Sequence, residues 1–129
     1  MILLTGCGSS SEQKQNKNEE TAEENKEEDK VQIGLTVDSF VIERWIRDRD
    51  VFVATARELG AEVNVQDAGA DVKEQISQIE YFINKQVDVI VVIARDCGAL
   101  SDAIQKAQSA GIPVISYDRM VNNANTDLY

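Results

Sequence analysis

Several residue types that build common active sites are missing or scarce in this chain of 129 residues. It has no histidine, the commonest metal ligand and general base, so a metalloenzyme or a histidine-based hydrolase is disfavoured. Its two cysteines, Cys7 and Cys97, form neither a zinc-binding pattern nor a CxxC redox pair. No apolar run is long enough to span a bilayer. The 13 basic residues are outnumbered by 23 acidic ones, for a net charge of -10, so no nucleic-acid partner is expected.

Sequence signatures of catalysis are absent as well. No GxGxxG motif follows the first predicted strand, and there is neither a P-loop nor a GxSxG nucleophile elbow. Carboxylates are plentiful, but nothing in their spacing places a general acid beside a nucleophile. The sequence therefore predicts a binding protein rather than an enzyme, with no metal and no other cofactor.

The first thirty residues differ in composition from the rest. Leu4-Thr5-Gly6-Cys7 resembles the end of a bacterial lipoprotein signal, in which the cysteine becomes the lipid-modified first residue; a chance Gly-Cys pair is the alternative. Residues 8–30 are almost wholly polar and cannot bury enough apolar surface to fold. We expect residues 1–7 to be a signal remnant and residues 8–30 to be a disordered acidic tether. Because only three residues precede the box, we expect either that the natural start lies upstream or that this polypeptide is not itself processed.

From Val31 onward, strand-like and helix-like segments alternate. Strands are predicted to begin near residues 31, 62, 87 and 112, a spacing typical of βαβ units. The last two are nearly continuous apolar runs, as expected for strands that are covered on both faces. The segments between them carry apolar stripes at residues 52–59, 72–83 and 100–107, which predict amphipathic helices.

The ends of these helices also carry local signals. Asp71 and Glu74 have the spacing of a capping box, and Gly60 and Gly111 are placed to end the first and third helices. Leu128 looks like the opening of a further strand. The pattern predicts a doubly wound α/β fold with a parallel sheet over residues 31–129.

Charged and aromatic side chains follow the predicted strands, at the edge where open parallel sheets bind ligands. Tryptophan can stack on the C–H face of a sugar ring, while arginine and aspartate can hydrogen-bond its hydroxyls. The candidate residues follow the first strand, the third strand and the fourth strand: Asp38, Arg44 and Trp45; Asp96; and Asp118 and Arg119.

Ordinary structural roles stay open for each of these candidates. Trp45 can pack as a core residue with Arg44 as a solvated helix residue, and Asp38 can cap a loop or a helix. Asp96 can pair with Arg95. The neighbouring Asp118 and Arg119 can form a surface ion pair of little energetic value.

The same residues resemble a known family. A set of segments in the same order and spacing resembles the bacterial D-xylose-binding proteins, which are type I periplasmic binding proteins of ABC sugar importers. The segments are residues 33–38, Glu43-Arg44-Trp45, Asp48-Arg49-Asp50, residues 75–80, residues 87–91 and Tyr117-Asp118-Arg119-Met120. The resemblance covers residues 31–129. It implies the first of two α/β lobes that close on a sugar, with a Rossmann-like or flavodoxin-like strand order and the second lobe absent.

The resemblance also implies which residues contact the sugar and what the protein does. Arg44, Trp45, Asp118 and Arg119 carry the ligand-binding positions, and Asp38 and Asp96 extend them. The loop at residues 94–97 departs from the family pattern, so the sugar preference stays open.

The partners implied are a xylose-like monosaccharide, an ABC importer permease or a membrane sensor kinase, and the outer face of the cytoplasmic membrane through a lipid on Cys7. A LacI-type regulator core is an alternative, but it needs a DNA-binding segment where the acidic tether lies. A phosphoacceptor receiver domain would need a lysine where Arg119 stands.

Overall fold

The computed structural model describes residues 30–121 and 126–128. Cys7, nearly all of the polar segment that follows it, residues 122–125 and Tyr129 lie outside the described residues. The predictions of a signal remnant, a lipidated cysteine and a disordered tether therefore stay predictions.

Strands and helices alternate along the described chain, and all four strands run parallel in the order β2-β1-β3-β4. This confirms the predicted α/β fold with a flavodoxin-like strand order. The predicted strand starts agree with the observed ones to within about two residues. The elements are β1 (Gln32–Val37), α1 (Glu43–Glu58), β2 (Glu62–Asp67), α2 (Val72–Lys85), β3 (Val89–Ile93), α3 (Ser101–Ser109) and β4 (Val114–Ser116).

The two faces of the sheet are covered unequally. Helices α2 and α3 pack on one face over a large core that includes Ile79, Phe82, Ile90 and Ile104. Among the described helices, α1 alone lies on the other face, where a smaller core includes Trp45. Alternating β-branched residues of β3 serve both cores, since successive side chains of a strand point to opposite faces.

Because helices cover the two sheet faces unequally, the apolar stripe predicted in α1 is less buried than its pattern indicates. Residues 52–59 carry an apolar stripe, yet Ala56 is its only buried member and Leu59 is 82% exposed. Because no second described helix packs beside α1, an apolar groove of about 480 Å³ stays open between α1 and the sheet. The stripe is amphipathic as predicted, but burial depends on a neighbour that the local pattern does not contain.

Local signals at the helix ends are confirmed. The Asp71 carboxylate caps α2 by accepting hydrogen bonds from the backbone N–H groups of Lys73 (2.8 Å) and Glu74 (3.3 Å). Gly60 and Gly111 follow α1 and α3 with φ angles of +85° and +81°. Leu128 forms a parallel bridge with Ile115, on the outer side of β4, in agreement with the predicted opening of a further strand.

Candidate functional site

The carboxyl ends of β1, β3 and β4 meet at one edge of the sheet, which we call the carboxyl edge. Five of the six predicted ligand-binding residues come together there, through two ion pairs and two ring contacts. They are Asp38, Arg44, Trp45, Asp118 and Arg119.

Asp38 is the most deeply placed charge at this edge. Its side chain is 2% exposed, and its Oδ2 accepts a hydrogen bond from Nη1 of Arg119 at 3.0 Å. The same Nη1 donates to the backbone carbonyl of Ala94 at 2.9 Å. Asp38 Oδ1 lies 3.6 Å from Nη1 of Arg95 and has no hydrogen-bond partner among the described residues. A buried carboxylate is costly unless it is paired, and here two arginines from other strand ends compensate its charge.

A second ion pair lies further out. Nη2 of Arg44 donates to Oδ1 of Asp118 at 2.8 Å, with side chains that are 59% and 28% exposed. This hydrogen bond and the charge of Asp118 raise the pKa of the Arg44 guanidinium above its ordinary value. Asp48 lies 3.5 Å from Nε of Arg44 and accepts a hydrogen bond from the Tyr117 hydroxyl at 3.2 Å. Partial burial, and then the hydrogen bond to Asp48, raise the pKa of Tyr117.

The backbone after β4 separates the two pairs. Asp118 has a φ angle of +64°, and the N–H of Arg119 donates to the carbonyl of Tyr117 at 2.7 Å, which closes a three-residue turn. Such backbone geometry costs on the order of 1–3 kcal/mol and is concentrated at functional sites. It allows two adjacent side chains to reach different partners, since Asp118 pairs with Arg44 and Arg119 pairs with Asp38.

Trp45 lies beneath both arginines. The guanidinium carbons of Arg44 and Arg119 are 4.9 Å and 5.6 Å from the centroid of its ring, within the range of cation–π contacts. The residue is 2% exposed and belongs to the core under α1. The structural role left open by the sequence, a core residue, therefore describes its surroundings, and its stacking on a sugar stays a prediction.

Asp96 stands apart from the other predicted residues. Its Oδ1 accepts hydrogen bonds from the backbone N–H groups of Gly98 (2.8 Å) and Ala99 (2.9 Å). These bonds lower the pKa of Asp96. The charge of Arg95 also lowers this pKa, while the ion pair described for Arg95 is with Asp38 at 3.6 Å, so the alternative of an Arg95–Asp96 pair stays open. Asp96 orders the loop after β3, and its ligand-binding role stays a prediction.

Two buried glutamines of α2 were missed by the site prediction. Gln75 and Gln78 are 0% and 5% exposed, and their amides bond to groups at the carboxyl ends of β1, β2 and β3. The available signal was their spacing: two glutamines three residues apart, within an apolar stripe, lie on the buried face of a helix. Polar groups on that face require internal hydrogen-bond partners.

The described part of the chain holds no group of three or more histidine, cysteine, aspartate or glutamate side chains arranged to bind a metal ion. None of its helices has the length and apolar character needed to cross a membrane.

Comparison with known proteins shows the family to which this fold belongs. Residues 33–129 match the family described as periplasmic binding protein domain. The D-xylose-binding periplasmic proteins of Haemophilus influenzae and Escherichia coli are 48% and 46% identical over 99 residues, which cover 77% of this chain and 30% of each relative. A crystal structure of an ABC transporter periplasmic solute binding protein from Actinobacillus succinogenes, with bound D-allose, superposes with a TM-score of 0.72 at 29% identity, covering 77% of this chain and 38% of that one.

The chain thus spans about 30% of the length of the curated relatives that it matches. The matches confirm the predicted resemblance to D-xylose-binding proteins and the prediction that the chain is not an enzyme. With this parallel sheet and these matches, the chain belongs to the periplasmic binding protein family.

Proposed function

We propose that the described domain supplies one wall of a binding site for a neutral aldose, with D-xylose as the first candidate. The protein would act as an extracytoplasmic solute receptor of an ABC importer. The observation that carries the proposal is the meeting of two Arg–Asp pairs, one buried and one exposed, above the ring of Trp45 at the carboxyl edge.

The charges at this edge favour a neutral ligand. Three arginines balance three aspartates, so neither an anionic nor a cationic ligand would find a net countercharge. A hydroxyl group both donates and accepts hydrogen bonds, and adjacent guanidinium and carboxylate groups serve both functions. The residues counted are Arg44, Arg95, Arg119, Asp38, Asp48 and Asp118.

The exposed fraction of each side chain decides whether we propose it for direct contact with the sugar or for support of another side chain. Arg44 and Asp118 are accessible, and we assign them to direct contact with sugar hydroxyls. Arg119 is one-third exposed and is oriented by Asp38, which is buried and holds it from behind. Trp45 is assigned to the apolar face of the sugar. Asp96 is proposed to act indirectly, through the order of its loop.

The choice of D-xylose is supported by two relatives that are named for this sugar and are nearly half identical over the matched region. The allose-bound relative is less similar, at 29% identity. Both curated names describe periplasmic proteins, which favours an extracytoplasmic receptor over the core of a DNA-binding regulator.

A nuclear magnetic resonance titration of the 129-residue chain tests the proposal. D-xylose is expected to shift the side-chain signals of Arg44, Arg119 and Trp45, and to do so at lower concentrations than D-glucose or D-ribose. We expect a dissociation constant of about 1 mM or weaker, because hydrogen bonds at an accessible edge compete with water.

The chain provides a matched pair of variants for this titration. Arg44→Gln removes the exposed cation of the site, whereas Arg47→Gln removes a cation from the same helix that pairs with Glu43 at the surface. Arg44→Gln should weaken xylose binding by about tenfold, and Arg47→Gln should leave it unchanged within about twofold. Equal effects of the two variants, or xylose-induced shifts confined to other parts of the chain, would refute the assignment of the site.

We further propose that Cys7 anchors the mature protein to the membrane through a lipid. In the native cell, Cys7→Ser should move the protein from the membrane fraction to the soluble fraction. A wild-type protein that is already soluble would refute this anchor. Delivery to a membrane sensor kinase instead of an importer stays an alternative for the same receptor, and deletion of the importer permease separates the two, because only transport would then be lost.

A further inference from the structure

We propose that Gln75 is a positioning residue of the binding site, acting on Arg119 through the backbone at the end of β3. The proposal rests on the proposed function for its consequence in sugar binding, but its structural part can be tested without a sugar. The described hydrogen bonds of the Gln75 amide go to Thr36 and to backbone groups, not to a candidate ligand-binding side chain, so sequence reasoning about charged strand ends does not find it.

The Gln75 amide is hydrogen-bonded to the backbone on both sides of Ala94. Its Oε1 accepts a hydrogen bond from the backbone N–H of Arg95 at 2.8 Å, and its Nε2 donates to the carbonyl of Ile93 at 3.0 Å. Nε2 also lies 3.3 Å from Oγ1 of Thr36 in the neighbouring β1. Gln75 is 0% exposed, so no water competes for these bonds.

These bonds fix the backbone at Ala94, and the Ala94 carbonyl is one of the two acceptors of Arg119 among the described residues. Nη1 of Arg119 has two hydrogens; it donates to the Ala94 carbonyl at 2.9 Å and to Asp38 Oδ2 at 3.0 Å. If the peptides around Ala94 shift, only the carboxylate is left to hold this nitrogen. The guanidinium could then rotate about that single bond, and its remaining donors would no longer face a ligand in one fixed direction.

A glutamine amide suits this task because it donates and accepts from one planar group. A buried aliphatic side chain in its place would leave the Arg95 N–H and the Ile93 carbonyl without their present partner. A carboxylate would retain an acceptor for Arg95 but would lose the donor and bury a charge.

Gln78 provides a matched control, three residues further along α2. It is also buried, and its amide accepts from Oγ1 of Thr36 at 2.8 Å and donates to the carbonyl of Asp67 at 2.9 Å. It therefore ties α2 to β1 and β2, but no hydrogen bond joins it to the described chain at residues 93–95. Replacing it removes a buried network that shares the Thr36 hydroxyl with Gln75, but it removes neither of the Gln75 bonds to Ile93 and Arg95.

The experiment compares Gln75→Met with Gln78→Met in the 129-residue chain. Both variants are expected to lose stability to urea. Only Gln75→Met is expected to move the Nε–Hε signal of Arg119 in the absence of sugar, and to weaken xylose binding by about tenfold. Gln78→Met should change xylose binding by less than about twofold.

Several outcomes would overturn the proposal. Equal losses of xylose affinity in the two variants would show that the amides serve stability alone, and an unmoved Arg119 signal in Gln75→Met would show that Gln75 does not orient it. If the wild-type chain binds no sugar while the Arg119 signal moves only in Gln75→Met, the positioning role stands and the proposed function fails.

A measurement on the wild-type chain decides the case if Gln75→Met does not fold. Arg95 is an exposed residue, yet its backbone N–H should exchange slowly with solvent because it donates to a fully buried acceptor. If the Arg95 N–H exchanges as fast as solvent-exposed loop amides, the hydrogen bond from Arg95 to Gln75 does not hold the backbone at Ala94, and the proposal fails.

Discussion

Replacing Gly34 by alanine should displace β1 from α2 and destabilise the domain. A Cβ at this position would lie 2.6 to 2.8 Å from three ring atoms of Phe82. Carbon atoms in contact normally stay about 3.5 Å apart or more, so something must move. Phe82 is 0% exposed and belongs to the core under α2 and α3, which leaves its ring little room to turn away.

The size of the loss follows from this overlap. Adding a methyl group to a well-packed core costs about 1–3 kcal/mol, and we expect the upper part of that range, because the obstacle is a fully buried ring. With a urea m value of about 2 kcal/mol/M, a loss of about 2–3 kcal/mol lowers the unfolding midpoint by about 1–1.5 M. The chain has a single tryptophan, and Trp45 is buried, so its fluorescence reports the transition directly.

Two companion variants separate steric overlap from a general effect of losing glycine. Gly98→Ala is the control, because the nearest atom to its added Cβ is 3.5 Å away, an ordinary contact, and the midpoint should change by less than the equivalent of about 0.5 kcal/mol. Phe82→Leu in the Gly34→Ala background should cost less than it does in the wild-type chain, because a smaller side chain relieves the overlap. An unchanged midpoint for Gly34→Ala, or additive effects of the two changes, would refute the steric reasoning.

Three further predictions follow from burial and hydrogen bonding. Trp45→Ala should destabilise the domain by about 3–5 kcal/mol, followed by circular dichroism in urea; a loss below about 1 kcal/mol would contradict its burial at 2% exposure. Backbone and side-chain hydrogen bonds lower the pKa of Asp127 from its ordinary value of 3.8, so its contribution to stability is complete above that pH and is lost as the pH falls through the folded-state pKa. In Asp127→Asn the urea midpoint should therefore fall less steeply below pH 3.8, and an unchanged slope would count against this role. Tyr117→Phe should remove, from an ultraviolet titration, a phenol whose pKa lies above the ordinary value of 10.0, whereas loss of a phenol that ionises at or below pH 10.0 would contradict the contact with Asp48.

The sheet could be predicted almost completely, because its signals are local. Continuous β-branched runs mark β3 and β4, and the Asp71 cap and the positions of Gly60 and Gly111 mark helix ends. The burial of Leu59 could not be judged in the same way. A side chain in an apolar stripe becomes buried only if another element packs against it, and that depends on distant parts of the chain.

For the candidate site, the sequence predicted that the charged residues lie at the carboxyl edge, but not which of them form ion pairs with each other. Charged residues at strand ends pointed to the carboxyl edge because parallel strands end there together. The partner of each charge depends on the turn at Asp118, whose φ angle of +64° sends adjacent residues to Arg44 and Asp38. These partners are separated by 74 and 81 residues along the chain, so no spacing rule joins them.

For Gln75 and Gln78, the sequence pattern can indicate burial but not the hydrogen-bond partners. Both side chains are buried, and their amides are hydrogen-bonded to backbone groups and to Thr36. Their role depends on acceptors and donors that exist only after three strands have been assembled beside α2. A pattern rule can place them on the buried face, but only the assembled sheet supplies their partners.

The position of Trp45 narrows how a sugar can approach it. Two guanidinium groups lie over its ring, where the C–H face of a sugar would stack, so one of them must move. Arg119 is held by buried Asp38 and by the Ala94 carbonyl, and breaking a buried pair typically costs about 3–5 kcal/mol. Arg44 is 59% exposed and pairs at the surface with Asp118, an interaction typically worth about 0–1 kcal/mol. The difference assigns the movement to Arg44: if a sugar stacks on Trp45, this side chain leaves the ring and turns to the sugar hydroxyls, while Arg119 keeps its place.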